Sequence, residues 1–208
     1  MKKFFLSLVA AILAVPAMAQ FSSGGFSLSE SSMYYGLRLG MNVSTVTGKY
    51  ADDAKSKVGM NLGAVIGIRV SEKAPVFIES GLYYSGRGAK DLSLNYLEIP
   101  ILIKYGISVT DDIAVLPFIG PYFSIGVAGQ YKYDAIDPVT GLTVREKDSS
   151  YDIMRRPDMG FKVGCGAEYN MLYLELGYQF GVTDIAKDNP ADYAAHTGNF
   201  FVNFGVNF

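Results

Sequence analysis

The segment Asn199-Phe200-Phe201-Val202-Asn203-Phe204-Gly205-Val206-Asn207-Phe208 alternates residue by residue. One face carries Phe200, Val202, Phe204, Val206 and Phe208, while the other, Phe201 apart, carries only Asn and Gly. Period-2 alternation is the mark of a β-strand. A strand that closes on an aromatic with no polar tail would leave an apolar stripe in water. The same stripe is at home against lipid, because a membrane barrel turns apolar side chains outward and polar ones inward.

Seven earlier segments share this pattern. They run over residues 34–44, 58–70, 76–85, 94–106, 113–128, 158–169 and 172–181, giving eight strands with residues 199–208. The apolar parity collects residues such as Leu37, Leu62, Ile78, Ile101, Ile119, Val163 and Leu176. The opposite parity collects Arg38, Arg69, Lys104 and Lys162 with Glu79, Glu98, Asp158, Glu168 and Glu175. No charged residue of these strands falls on the apolar face. Much of the remaining polar-side list is Gly, which leaves room for long charged side chains to cross a narrow lumen. A water-soluble sandwich or lipocalin-like barrel would reverse the arrangement, with charges solvated outside and aliphatics packed within. The expected fold is all-β: an eight-stranded antiparallel up-and-down transmembrane β-barrel over residues 34–208.

The N-terminus agrees with export. Lys2 and Lys3 precede an apolar run from Phe4 to Val15, and Ala17-Met18-Ala19 precedes Gln20 as an A-x-A cleavage site. Residues 1–19 therefore read as a secretory signal peptide cut between Ala19 and Gln20. The 12-residue apolar run is too short for a spanning helix, which needs roughly 20 residues. Loss of the two lysines takes the formal charge from −2 to −4, which suggests no nucleic-acid partner. Residues 20–33, rich in Ser and Gly, read as a flexible periplasmic leader. Cys165 is the single cysteine, so no internal disulfide framework exists.

Connection lengths set the expected orientation. Ser71–Ala74, Ile107–Asp112 and Asn170-Met171 are short, whereas residues 45–57, 86–93, 129–157 and 182–198 are longer. Outer-membrane barrels place short turns in the periplasm and long loops outside the cell, which puts both termini in the periplasm. Outward Tyr35, Tyr105, Tyr169 and Phe208 then form one interfacial girdle, and Tyr84, Phe180 and Phe200 the other. Pro138 and Gly141 between β-rich runs predict a hairpin, with strands five and six continuing above the membrane as a ribbon.

Tyr96-Leu97-Glu98-Ile99-Pro100-Ile101-Leu102-Ile103-Lys104-Tyr105 resembles the "YLEIP…LKY" strand of the outer-membrane β-barrel family that includes PorT-like proteins. Pro117–Tyr122, Asp158–Gly166 and Leu174–Tyr178 followed by Gly181–Ile185 are similar to that family's later strands. The resemblance covers essentially the whole mature chain. It implies a Gram-negative outer-membrane location and a porin-like fold, and supplies no catalytic residues, metal ligands or cofactor.

Three functional readings follow. A barrel-rim hydrolase would need a nucleophile beside His196, the single histidine, and no Ser motif surrounds it; Asp184, Asp188 and Asp192 lack the ligand spacing of a dedicated calcium loop. A narrow channel would need space that eight strands scarcely leave, since side chains fill a barrel of that size. A scaffold whose loops 129–157 and 182–198, with Tyr50, Tyr131, Tyr133, Tyr151 and Tyr193, meet a protein or surface ligand is the favoured expectation.

Overall fold

A computed structural model describes residues 32–48, 55–136, 142–187 and 194–208. Eight long strands close on themselves: β1 (Met33–Gly48), β2 (Lys57–Arg69), β3 (Val76–Ala89), β4 (Leu92–Tyr105), β6 (Ile113–Ile136), β8 (Pro157–Tyr169), β9 (Leu172–Gly181) and β10 (Ala195–Asn207). Each pairs antiparallel with its neighbours, β4 with β6 and β6 with β8. The β1–β10 ladder, from Gly36↔Asn207 to Gly48↔Ala195, closes the wall. Two short strands sit at the ends: β5 (Ile107–Ser108) folds back on β6, and β7 (Thr143–Ser149) pairs with the far end of β6. The chain is a closed eight-stranded antiparallel barrel.

The wall is inverted relative to a water-soluble protein. Leu39, Met60, Ile103, Ile119, Leu176 and Phe204 are all exposed, whereas Arg38, Glu79, Glu98 and Lys104 are buried. Closure satisfies the backbone groups of the wall, the condition for strands to cross a bilayer. The seven expected girdle aromatics, Tyr35, Tyr84, Tyr105, Tyr169, Phe180, Phe200 and Phe208, are exposed on the outer surface.

Register follows from the turns. Asn170-Met171 joins β8 to β9, with Asn170 in the left-handed region at φ 54°. That places Tyr169 opposite Leu172 and Lys162 opposite Gln179, as a two-residue connection requires. A second tight turn departs from the sequence expectation. Residues 86–93 do not form a loop: β3 and β4 stay paired to Ala89↔Leu92, and Lys90-Asp91 makes the turn with Asp91 at φ 69°. Gly86 and Gly88 lie within the ladder, so the hairpin continues through them.

Strand ends are where the sequence reading falls short elsewhere. β1 begins at Met33, the last residue assigned to the leader, and runs on to Gly48. β6 extends to Ile136 and pairs with β7 from Gln130↔Ser149 to Ile136↔Thr143, giving the expected ribbon. The signal peptide with its Ala19–Gln20 junction, leader residues 20–31, the Asp137–Gly141 hairpin tip, Tyr50, Asp188, Asp192 and Tyr193 lie outside the described residues.

Candidate functional site: a charged lumen under a folded roof

Inside the wall, nine side chains of the Arg, Lys, Asp and Glu types are buried among the described residues: Arg38, Arg87, Lys104 and Lys162 with Glu79, Glu98, Asp158, Glu168 and Glu175. They form two linked groups. In the group toward the short turns, Glu79 takes Lys104 Nζ at 2.8 Å on Oε1 and Arg38 Nη2 at 3.4 Å on Oε2. Tyr34 donates its hydroxyl to the same Oε2 at 2.6 Å, and Lys104 donates to Tyr173 Oη at 2.7 Å. In the group toward the loops, Glu98 lies between Arg87 and Lys162, pairing with both, and Arg87 Nη1 also reaches Asp158 Oδ2 at 3.4 Å.

Cation faces are covered as well. Arg38 stacks 4.0 Å from the Tyr173 ring centroid, and Lys162 lies 4.9 Å from Tyr83 and 5.0 Å from Phe201. Attraction of a cation to an aromatic face strengthens where water is excluded. Glycine makes the space: Gly67 underlies the Tyr34 ring and Gly166 the Tyr173 ring, so close that a Cβ at either would drive into the aromatic side chain.

The Asn column of β10 acts as a row of amide bridges. Asn199 Nδ2 donates to Gln179 Oε1 at 2.6 Å, Asn203 Nδ2 to Glu175 Oε1 at 2.7 Å, and Asn207 Nδ2 to Glu168 Oε1 at 3.1 Å. Asn207 also accepts from Arg38 Nη2 at 2.7 Å. Spacing of four residues keeps all three on the inner face, because alternate residues share a side. Gln179 in turn donates to Glu98 Oε2 at 2.8 Å, which links the column to the ion pairs.

One of the expected interior assignments needs correction, and one interior residue was missed. Arg69 is only half-buried at the end of β2, where its Nε donates to Ser71 O at 2.9 Å. The parity of Arg69 is inward, but it lies where the wall ends, not across the lumen. Arg87 takes the buried position instead, with 1% exposure. It shares the odd-number parity of Phe77, Glu79 and Tyr83, so running the alternation two residues past Ser85 would have found it.

A roof closes the loop end. After β7, a single 3₁₀ turn (Ser150–Asp152) brings Tyr151 into a buried cluster with Val46, Ala89, Leu94, Tyr96 and Ile185. Tyr151 Oη donates to Asn95 O at 3.1 Å, and its carbonyl accepts from Lys187 Nζ at 2.7 Å. Arg156 stacks 4.7 Å from its ring. Burial pushes the Tyr151 hydroxyl up to about 12. Tyr151 is therefore part of the roof, not a loop tyrosine offered to a partner. The connection after β9 completes the cover: Ile185 N donates to Ala195 O, Arg155 N to Ile185 O, and Asp184 Oδ1 accepts from Ala186 N and Ala195 N, both at 3.0 Å. These two amides hold the Asp184 carboxyl below the usual carboxylate range.

His196 sits half-buried on β10, with Nδ1 3.1 Å from Thr183 O. A backbone carbonyl orders its ring, and no serine bonds it among the described residues. No group of three or more His, Cys, Asp or Glu side chains is placed to hold a metal ion among those residues. Cys165 is half-buried in the wall, its Sγ 3.6 Å from Gly166 O.

A closed wall of eight strands, apolar outside and charged within, defines an integral membrane barrel. The chain belongs to the outer membrane protein beta-barrel domain family, matched over residues 18–187, and its place is the outer membrane. Among solved structures, a major outer membrane protein from Thermus thermophilus is 11% identical with a TM-score of 0.51, over 86% of this chain and 100% of that one. Neisserial surface protein A is 14% identical with a TM-score of 0.48, over 86% and 98%. Ail, the attachment invasion locus protein of Yersinia pestis, is 12% identical with a TM-score of 0.42, over 86% and 100%. No curated relative matches the chain. At these identities the likeness concerns the fold.

Proposed function

We propose that the chain is a non-enzymatic structural or interaction scaffold of the outer membrane, with a plugged lumen and both termini in the periplasm. One observation carries this reading: beneath the Tyr151 roof the lumen's four cations are ion-paired with Glu79, Glu98, Asp158 and Glu175, and Glu168 is joined to Arg38 through the Asn207 amide. Four cations face five carboxylates, so no single-sign ring selects an ion, as a conducting filter would use. His196, bonded to a backbone carbonyl, supports no hydrolase reading.

The parts left for contact are outside the wall. The β6–β7 ribbon stands beyond the roof, and Tyr131 and Tyr133 stack on it with ring centroids 5.2 Å apart. Tyr133 Oη lies 2.9 Å from Asp148 Oδ2 and 3.0 Å from Glu146 Oε2, which raises its pKa and keeps it a neutral donor. A stacked aromatic pair of this kind, within the segment 129–157, suits recognition of a protein or surface ligand; the segment 182–198 contributes the roof beside it. Single-channel recording on the refolded chain in planar bilayers tests the reading. The expected result is no steady conductance; steady openings would assign the narrow porin-like channel instead.

A further inference from the structure

The loop end of the barrel carries a basic groove outside the lumen. A depression of about 460 Å³ surrounds the β3–β4 turn and is lined by Lys57, Lys90 and Lys132, with Ser56, Ser93 and Gln130 beside them. The lining holds one carboxylate, Asp91, and Arg145 of β7 already pairs with it. Lys132 faces Lys147 directly across the ribbon, a like-charge opposition that destabilises a strand pair. Asp134, the next carboxylate along β6, is opposite Arg145. Lys57 is half-buried at the tip of β2, opposite Ser44 on the inward parity, and its Nζ is 3.5 Å from Leu92 O. Burial and the nearby Lys132 ammonium both lower its pKa, as expected where positive charge is concentrated without an anion.

The position of the groove says what would neutralise it. The register shift between Asn95 and Tyr96 leaves Val127 of β6 without a partner, so Gln130 pairs with Ser93 and shares its side of the sheet. Ser93 alternates in step with Leu97 and Ile99, the lipid-facing parity, and Val58, 66% exposed on the outer face of β2, forms the groove's lower edge. The groove therefore opens where the apolar wall gives way to the headgroup layer. Ammonium groups with hydroxyl and amide donors match a phosphate group.

We propose that this groove binds a phosphate group, that of an anionic lipid of the surrounding leaflet. The full mature chain is reconstituted in phosphatidylcholine vesicles containing phosphatidic acid, extracted gently, and its retained lipid counted by native mass spectrometry. Wild type should retain phosphatidic acid at least tenfold over phosphatidylcholine, and the K57Q/K90Q/K132Q variant should lose that preference about tenfold. Lys73→Gln, at the opposite end of the barrel, should change nothing. Should the triple variant fail to fold, K90Q/K132Q, confined to the turn and ribbon, reads out the same loss. Unchanged retention in the lysine variants, or no phosphatidic acid preference in wild type, overturns the proposal. Calorimetry with inorganic phosphate in zwitterionic detergent separates the sources: tight, lysine-dependent binding without any lipid would assign the groove to soluble phosphate and overturn the lipid assignment.

Discussion

Glu98 holds the upper lumen together because three donors converge on it: Arg87, Lys162 and the Gln179 amide. Glu98→Ala would leave two buried cations short of a partner, and breaking such a pair costs about 3–5 kcal/mol. Urea unfolding of the folded barrel in lipid vesicles should show that loss. Stability near wild type, with steady conductance whose ion selectivity shifts, would instead indicate a hydrated pore and defeat the plug. Arg87→Ala should also be costly, since it removes the cation paired with Asp158 and leaves Glu98 with Lys162 alone as its ion-pair partner. Arg69→Ala, at a half-exposed wall end, should stay within about 1 kcal/mol. Parity alone gives both arginines the same inward face. What separates them is height along the barrel, and alternation carries no information on where the lumen stops. Arg38, Glu79, Lys104, Lys162 and Glu175 were legible because they lie well inside their strands.

The roof is the element the sequence hid best. Residues 150–156 have no period, and their burial comes from packing Tyr151 against Leu94 and Tyr96 across the mouth, a contact between distant segments. Only tertiary structure decides such a position. Its pH response follows from Asp184, whose carboxylate caps Ala186 N and Ala195 N and is held below the ordinary carboxylate range. A carboxylate with a lowered folded pKa stabilises the fold above its unfolded value, about 3.9, and loses that contribution as pH falls through the folded pKa. Amide hydrogen exchange at Ala186 and Ala195 should therefore stay slow from neutral pH down to about 4 and rise relative to the wall strands only below that. Asp184→Ala should raise it at neutral pH. Equal protection in the variant at neutral pH would show that Ile185 burial, not the carboxylate, holds the roof.

At the scale of the molecule, one inversion of sidedness explains the architecture: lipid takes the aliphatic face, and the charges it excludes satisfy each other within. Ile101, 43% exposed on β4, tests the outer half of that statement. Ile101→Arg should cost roughly 2–4 kcal/mol if the residue lies near the bilayer midplane, falling toward zero near an interface. Orientation is the remaining whole-molecule property, and the two ends differ in a way a protease can read. One end has the short Ser71–Ala74 and Asn170-Met171 connections; the other has the ribbon, with Lys132, Arg145 and Lys147 exposed. If the ribbon projects from the cell, trypsin added to intact cells should cut there and leave the turn at Lys73 whole. Opening the outer membrane should then make Lys73 accessible without changing the ribbon fragments. Cleavage at Lys73 on intact cells, with the ribbon protected, would place the termini outside and reverse the topology drawn from loop lengths.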